Sequence, residues 1–362
     1  MPVRDSDMKK DIGSIFPLSD GTLRQAESER GPYTGDRLYY SLCREAMFDI
    51  AKALGKTARL VLIPAYTCQT VITPFEEAGW RCEYYPIGKD LRIRLDDLLR
   101  LVEKCHPKLL VVHPFYGMDL NEAEIKTLMT IKGRGVEILL DLTQCLFSRK
   151  QYCFASFIVA SYRKWMPITD GGYMKLLSDS VKISQPETEN SDFSGMEKAA
   201  MYLRGQYFAN GEQRTKDISI KLSKMADSLA ESNIAPHKMS SVAYNLLRKE
   251  DFELIQKARL DNYAYLHQNI LETEKVAKVV KNGNDVTSAP LYFTIYVQDR
   301  PALQHCLAKD AIYAPVLWPV EDDRVLINED IKYLYDHLLA IPCDQRYDVE
   351  DLQRAVDIIN QH

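Results

Sequence analysis

The sequence predicts an α/β fold, a mainly parallel sheet covered by helices and followed by a smaller α+β unit. Three observations predict it. Short, near-continuous apolar runs at 59–63, 109–112 and 136–140 have the character of strands buried on both faces. Segments with apolar residues at helical spacing separate them, as at 44–54 with Ala46, Met47, Ile50, Ala51 and Leu54. The 362 residues suffice for one large domain and a second, smaller one.

The elements follow in order. Residues 1–36 are polar and read as an arm laid over a neighbouring surface. A strand over 37–42 leads into the helix over 44–54, which Gly55 stops. The apolar strand at 59–63 precedes the loop Pro64-Ala65-Tyr66-Thr67, and a helix over 69–78 ends at Gly79. A strand at 82–85, a helix at 95–105, a strand at 109–112, a helix at 121–132 and a strand at 136–140 continue the alternation. Two further strands, 157–160 and 172–177, flank a loop that holds Lys164. Residues 178–245 are charged, Ser-rich and helical. Residues 246–362 read as a helix (249–271), a strand (291–297), a helix (301–309), a short segment (312–317) and a terminal helix (349–359). The predicted organisation is an arm (1–36), a large domain (37–245) and a small C-terminal domain (246–362).

Composition narrows the function classes. A net charge of −5 gives no reason to expect nucleic acid as a partner. No run approaches the ~20 apolar residues of a bilayer span. The polar residues 1–10 lack a secretory apolar region, so a cytoplasmic location is expected. The eight cysteines (Cys43, Cys68, Cys82, Cys105, Cys145, Cys153, Cys306 and Cys343) form no Cys-x-x-Cys pair and no zinc spacing. They read as reduced thiols, with no metal site.

In parallel sheets ligands bind outside the carboxyl ends of the strands. Cys43, Tyr66, His113, Asp141 and Lys164 all fall at or just past predicted strand ends, which assigns them to one pocket. Lys164, between two apolar strands, is expected to point inward and be desolvated, and a desolvated Lys condenses with aldehydes to a Schiff base. Asp141 lies 23 positions earlier (164 − 141) at the end of a buried strand, where a carboxylate needs a partner. Together they suggest the two poles of a pyridoxal 5′-phosphate site, an amine for the aldehyde and a carboxylate for the pyridine nitrogen. Lys164 would also move a proton at the substrate carbon. Gln144 is placed to reach the ring hydroxyl. The competing readings are an Asp that caps the next loop or binds a metal and a Lys whose tip reaches solvent; the pairing of the two in this order favours the cofactor. Walker and Gly-x-Gly-x-x-Gly motifs are absent. For the phosphate this leaves the Cys43 and Arg44 amides at a helix start, and Ser161. Tyr66, His113 and Tyr116 are candidate substrate contacts, against packed or structural roles. Residues 313–319 read as a domain-packing element, against a segment that closes over a substrate.

These residues carry a resemblance. Asp141-Leu142-Thr143-Gln144 resembles the Asp-x-Ala-Gln motif of the DegT/StrS sugar aminotransferases, a family of fold type I pyridoxal phosphate enzymes. Lys164 followed by Asp170-Gly171-Gly172 resembles the family's Lys-x5-(Glu/Asp)-Gly-Gly. Pro64-Ala65-Tyr66-Thr67 is similar to its Pro-Ser-Phe-Thr loop, and His113-Pro114-Phe115-Tyr116-Gly117 to its His-Leu-Tyr-Gly segment. Asp11-Ile12-Gly13-Ser14 is similar to its N-terminal arm. The resemblance covers most of the chain. It implies a fold type I large domain, a small C-terminal domain and a homodimer whose sites are completed across the interface. It further implies Lys164 as the Schiff base lysine, Asp141 on the pyridine nitrogen and Gln144 near the ring hydroxyl. The implied reaction is transamination of a nucleotide-linked keto sugar, with glutamate or glutamine as donor.

The chain also departs from the family pattern. The family's Ser-Gly-Thr at the phosphate-binding helix is Leu42-Cys43-Arg44, and the aromatic that stacks on the cofactor ring is Cys68. The family's Ser five residues before the Lys aligns with Val159, leaving Ser161 as a shifted substitute. The segment that the family donates across the dimer has Ser232-Asn233-Ile234 as its nearest counterpart. The same residues admit two alternatives. One is other pyridoxal phosphate chemistry of the dehydratase or lyase type; the other is a cofactor-binding protein without turnover.

Overall fold

The computed structural model describes residues 10–28, 33, 35–55, 59–232 and 234–362. Asn233, in the segment matched to the family's interface motif, and residues 1–9 of the arm lie outside the described residues. In chain order the elements are α1 (Asp20–Ser28), β1 (Leu38–Tyr40), α2 (Cys43–Leu54), β2 (Leu60–Pro64), α3 (Gln69–Glu77) and β3 (Arg81–Tyr85). Next come α4 (Leu95–Cys105), β4 (Leu109–Val112), α5 (Glu122–Gly133), β5 (Glu137–Asp141), β6 (Phe157–Ser161) and β7 (Gly172–Leu176). The helices α6 (Ser191–Asn210), α7 (Gln213–Ser232), α8 (Ser241–Leu247) and α9 (Phe252–Asn269) follow. The chain ends with β8 (Val276–Lys278), β9 (Tyr292–Val297), α10 (Arg300–Lys309), α11 (Glu329–His337), β10 (Leu338–Pro342) and α12 (Val349–Gln361).

The expected mainly parallel sheet is present. Seven strands lie in the order β1-β7-β6-β5-β4-β2-β3, and β7 alone runs against its neighbours. Its central strands have apolar middles, Leu109–Val112 in β4 and Ile138–Leu140 in β5, and every residue of both strands is buried. Strands of that kind fold only where helices cover both faces. Turn chemistry fixes the ends. Asn121 caps α5 by accepting the Glu124 amide at 2.9 Å, while Glu124 accepts the Asn121 amide at 2.8 Å, a reciprocal capping box.

The direction of chain travel reverses at β2. The strand after it, β3, lies on one side, and β4 crosses back to the other. A crevice opens outside the carboxyl ends of strands at such a switch point, which sets the place for a ligand. The second sheet, β10-β9-β8, is antiparallel and packs with α9 to α12.

Four elements were not expected from sequence: α1, β8, α11 and β10. Within 312–317 no strand forms, and only Ile312 bridges, to Ile12. That bridge, with Ile12 N–H donating to the Ala311 carbonyl at 2.9 Å, lays the arm around Ile12 on its own chain's C-terminal unit, while α1 packs against α8. Among the described residues no helix is long and apolar enough to cross a membrane.

Candidate active site

Each predicted site residue owes its place to one strand end. The end of β1 feeds directly into α2, so Cys43 and Arg44 form that helix's first turn. Two glycines let this helix start meet β7. Gly171 has φ +143°, and a Cβ on it would collide with Met239. A Cβ on Gly172 would lie 2.6 Å from the Cys43 amide nitrogen. The first glycine supplies a conformation closed to L side chains, and the second permits the close approach. Asp170, just before them, is fully buried and anchors the turn by accepting from the Ser240 amide at 2.8 Å and the Thr169 hydroxyl at 3.0 Å.

Two adjoining cavities lie at this edge. The first is lined by Cys43, Arg44, Cys68, His113, Asp141, Thr143, Gln144, Ser161, Arg163, Lys164 and Trp318, among others. Cys68, Gln144, Arg163, Lys164 and Trp318 also face the second. That second cavity is completed by Phe16 of the arm and by Arg259, Tyr292, Asp344 and Arg346 of the C-terminal unit. Every predicted cofactor-binding residue therefore reaches the first cavity, and Lys164 stands on the wall between the two.

The carboxylate wall is preorganised. Asp141 is 5% exposed, and its Oδ1 accepts the Thr143 amide at 2.8 Å. Gln144 turns its carbonyl oxygen away to accept the Tyr116 amide at 3.1 Å, which leaves its amide group for the cavity. Thr143 ties this loop to the lysine loop. Its hydroxyl accepts the Ser161 amide at 3.1 Å, and its carbonyl accepts the Trp165 indole N–H at 2.8 Å. Burial holds His113 below the ordinary imidazole range, against the opposing pull of Asp141. Its ring is neutral at neutral pH, and its Nε2 lies 3.3 Å from the Tyr66 carbonyl. Burial, reinforced by the Asp141 charge, pushes the Cys43 thiol well up, so it too is neutral.

Three expectations are corrected. Lys164 is exposed, not buried. It sits, as expected, on the loop between β6 and β7, but at the point where the two cavities meet. The residue that the turn buries is its neighbour Trp165. Tyr66 and Tyr116, expected to touch substrate, are 2% and 1% exposed and line neither cavity. Their hydroxyls lie 3.3 Å apart behind the wall, where Tyr66 packs on Phe115, Trp318 and Tyr335. Trp318, read from sequence as part of a packing element, faces both cavities.

Sequence reasoning missed Arg163, Phe16, Tyr292 and Arg346, and gave the segment of Trp318 the packing role over the substrate-closing one. Only Arg163 carried a usable signal, its position beside Lys164; the others come together through the tertiary fold. Arg346 is held in place by Asp344, with Nε to Oδ1 at 2.7 Å, and stacks over Phe16 at 4.1 Å. Burial would raise the Asp344 carboxyl, but Arg346 and Arg259 hold it below its ordinary value.

No family model matches this chain, and no curated protein matches it. Solved structures do. The chain is similar to PseC of Helicobacter pylori, an aminotransferase of pseudoaminic acid biosynthesis, with TM-score 0.67, 11% identity and coverage of 97% of this chain and 99% of that one. It is similar to a DegT DnrJ EryC1 StrS aminotransferase from Brucella abortus (TM-score 0.62, 13% identity, 96% and 91% covered). It is also similar to the E coli GDP-4-keto-6-deoxy-D-mannose-3-dehydratase with bound hydrated PLP (TM-score 0.67, 15% identity, 97% and 100% covered). The chain has the fold that these proteins share, over essentially its whole length, as the resemblance in its motifs implied.

Proposed function

We propose that this protein is a pyridoxal phosphate-dependent aminotransferase that moves an amino group from an amino acid to a keto sugar. One observation carries the reading: Asp141 and Lys164 face the same cavity, at the strand edge where this fold binds ligands. The donor set fits the cofactor. The charged residues of that cavity are Arg44, Arg163 and Lys164 against Asp141 alone, which suits an anionic aldehyde with one protonated ring nitrogen. When bound, the cofactor supplies the electron sink that stabilises negative charge at the substrate carbon.

The chain's own residues do the rest. Asp141, fixed by the Thr143 amide, would hold a proton on the ring nitrogen. Gln144 presents its amide to the ring hydroxyl. Cys68 would lie beside the ring, and neutral His113, on the same cavity wall, would add no charge. Lys164 would hold the aldehyde through its amine and would also serve as the base and acid that moves a proton at the substrate carbon. Its exposure on the shared wall gives it reach into both cavities. The second cavity is the substrate space. Phe16, Tyr292 and Trp318 offer aromatic faces to a sugar ring, and Arg163 lies beside the lysine. We further divide the chain into the arm 1–36, the cofactor domain 37–245 and the small domain 246–362. The two separate sheets support this division. A cytoplasmic homodimer belongs to the same reading, and sedimentation equilibrium tests the assembly.

Incubation with glutamate or glutamine and a panel of nucleotide-linked keto sugars tests the reaction. The expected result is release of the 2-oxo acid and a sugar that has gained nitrogen. Loss of a hydroxyl oxygen without gain of nitrogen would reassign the chain to dehydratase chemistry, which the likeness to the E coli dehydratase keeps in play. No 2-oxo acid from any donor would leave a binder without turnover.

A further inference from the structure

The first cavity has a cationic end, Arg44 and Arg163, to which the functional reading assigns no particular contact. Arg44 is half-buried on its wall and makes no hydrogen bond or ion pair with any described residue. Burial lowers its affinity for its proton, and the charge most strongly opposing it is a second guanidinium, that of Arg163. Asp227 and Glu231 act on Arg44 more weakly. Among the described residues Arg163 has one ionic partner, Asp227, at 3.5 Å, and the Asp227 side chain is 50% exposed. A pair that exposed holds a guanidinium weakly. Two cations that share a partly buried wall repel each other unless an anion lies between them.

The surroundings are those of an anion cradle. Arg44 belongs to the first turn of α2, whose free amides and dipole favour negative charge. Ser161 is 4% exposed and lines the same cavity, and its hydroxyl has no hydrogen-bond partner among the described residues. The Cys43 thiol beside it is neutral and does not repel an anion. A phosphate monoester carries about −2 at neutral pH, which matches two guanidiniums, and each guanidinium offers a planar fork to its oxygens.

We propose that Arg44 and Arg163 grip the phosphate of the cofactor as a guanidinium pair, with the α2 amides and the Ser161 hydroxyl completing the cradle. The inference rests on the pyridoxal phosphate reading above. It explains why a helix start written Leu42-Cys43-Arg44 can hold a phosphate without hydroxyl side chains of its own: charge replaces them. Asp227 then competes with the phosphate for Arg163.

Absorbance titration of the whole protein with pyridoxal phosphate and, separately, with pyridoxal tests this, because the two aldehydes differ only in the phosphate. The wild type is expected to prefer the phosphorylated aldehyde strongly. Arg44→Gln and Arg163→Gln should each weaken pyridoxal phosphate binding by about tenfold or more, with pyridoxal binding unchanged within about twofold. Unchanged pyridoxal binding also reports that the variants are folded. Arg163→Lys should recover part of the loss, and Asp227→Asn should shift the preference a few-fold the other way. Inorganic phosphate should compete with pyridoxal phosphate in the wild type and lose that power in the double Gln variant. Equal weakening of both aldehydes, or an unchanged preference, would overturn the phosphate assignment while leaving the functional reading standing. A wild type that forms no Lys164-dependent absorbance band with either aldehyde would instead overturn the functional reading, and the inference with it.

Discussion

Two carboxylates at this edge do opposite electrostatic jobs. Asp141 faces the cavity, whereas Asp170 faces inward and has its carboxyl pushed up to about 6 by burial, against the hydrogen bonds it accepts from Ser240 and Thr169. A carboxyl raised in the folded state contributes stability that is complete below its unfolded value of 3.8 and lost as pH rises through about 6. The wild type should therefore lose stability relative to Asp170→Asn between about pH 4 and pH 6. The loss should be on the order of 3 kcal/mol, from about 1.4 kcal/mol per unit of pKa. Urea unfolding at stepped pH measures this, and a difference that stays flat over the interval would contradict it. The Asp170-Gly171-Gly172 run was legible because each residue has a local reason to be what it is. Lys164 was legible in position but not in burial. Sequence shows that a loop lies between strands, but not on which side of that loop the cavity opens.

At the scale of elements, the β6–β7 turn that carries Lys164 is clamped from the C-terminal unit. The Trp165 carbonyl accepts from Gln345 at 2.7 Å and from Arg259 at 3.4 Å, and the Arg259 guanidinium stacks over the Trp165 ring at 4.5 Å. Arg259 is 1% exposed and also donates to the Pro290 and Leu291 carbonyls. It replaces the hydrogen bonds that these buried carbonyls cannot take from water. Arg259→Met should cost about 3 kcal/mol or more, since each buried acceptor left unpaired costs ~1–3 kcal/mol. It should also slow imine formation by Lys164, whereas Gln345→Ala should cost about 1 kcal/mol. Denaturation and stopped-flow absorbance report the two effects; an Arg259 variant as stable and as fast as the wild type would remove the clamp. The alternating strands and helices of the large sheet were readable because each strand is an apolar run with a stop signal after it. The pair α11 and β10 was not. Glu329-Asp330-Ile331-Lys332-Tyr333-Leu334-Tyr335-Asp336-His337-Leu338-Leu339-Ala340-Ile341 passes from helix to strand with no Gly or Pro at the junction. Strand β8, with three residues, is too short to show a period.

Across the whole molecule, a buried charge cluster joins the arm, the helical hairpin and the C-terminal unit. Asp11 meets Arg204 of α6 at 3.2 Å and Lys216 of α7 at 2.8 Å, and Lys216 also donates to the Tyr313 hydroxyl at 3.0 Å. The Asp11 side chain is 1% exposed, so its removal leaves two buried cations without their anion. Asp11→Ala should destabilise the protein by about 3–5 kcal/mol. A loss below about 1 kcal/mol in urea unfolding would mean that the arm is not held there. Its lodging places Phe16 against the second cavity, so the arm helps to shape the substrate space. No sequence period announces a contact between positions 11, 204 and 216. Only the folded chain brings them together, which is why the arm's role could be read only as cover for some neighbouring surface.

The central claim is that Lys164 is the group that holds the cofactor. Protein loaded with pyridoxal phosphate, reduced with borohydride and digested, locates the attachment by peptide mass mapping. The account predicts one pyridoxyl label, on the peptide containing Lys164, and none in Lys164→Ala. A label on another lysine, or a loaded wild type in which reduction fixes no label, would contradict it.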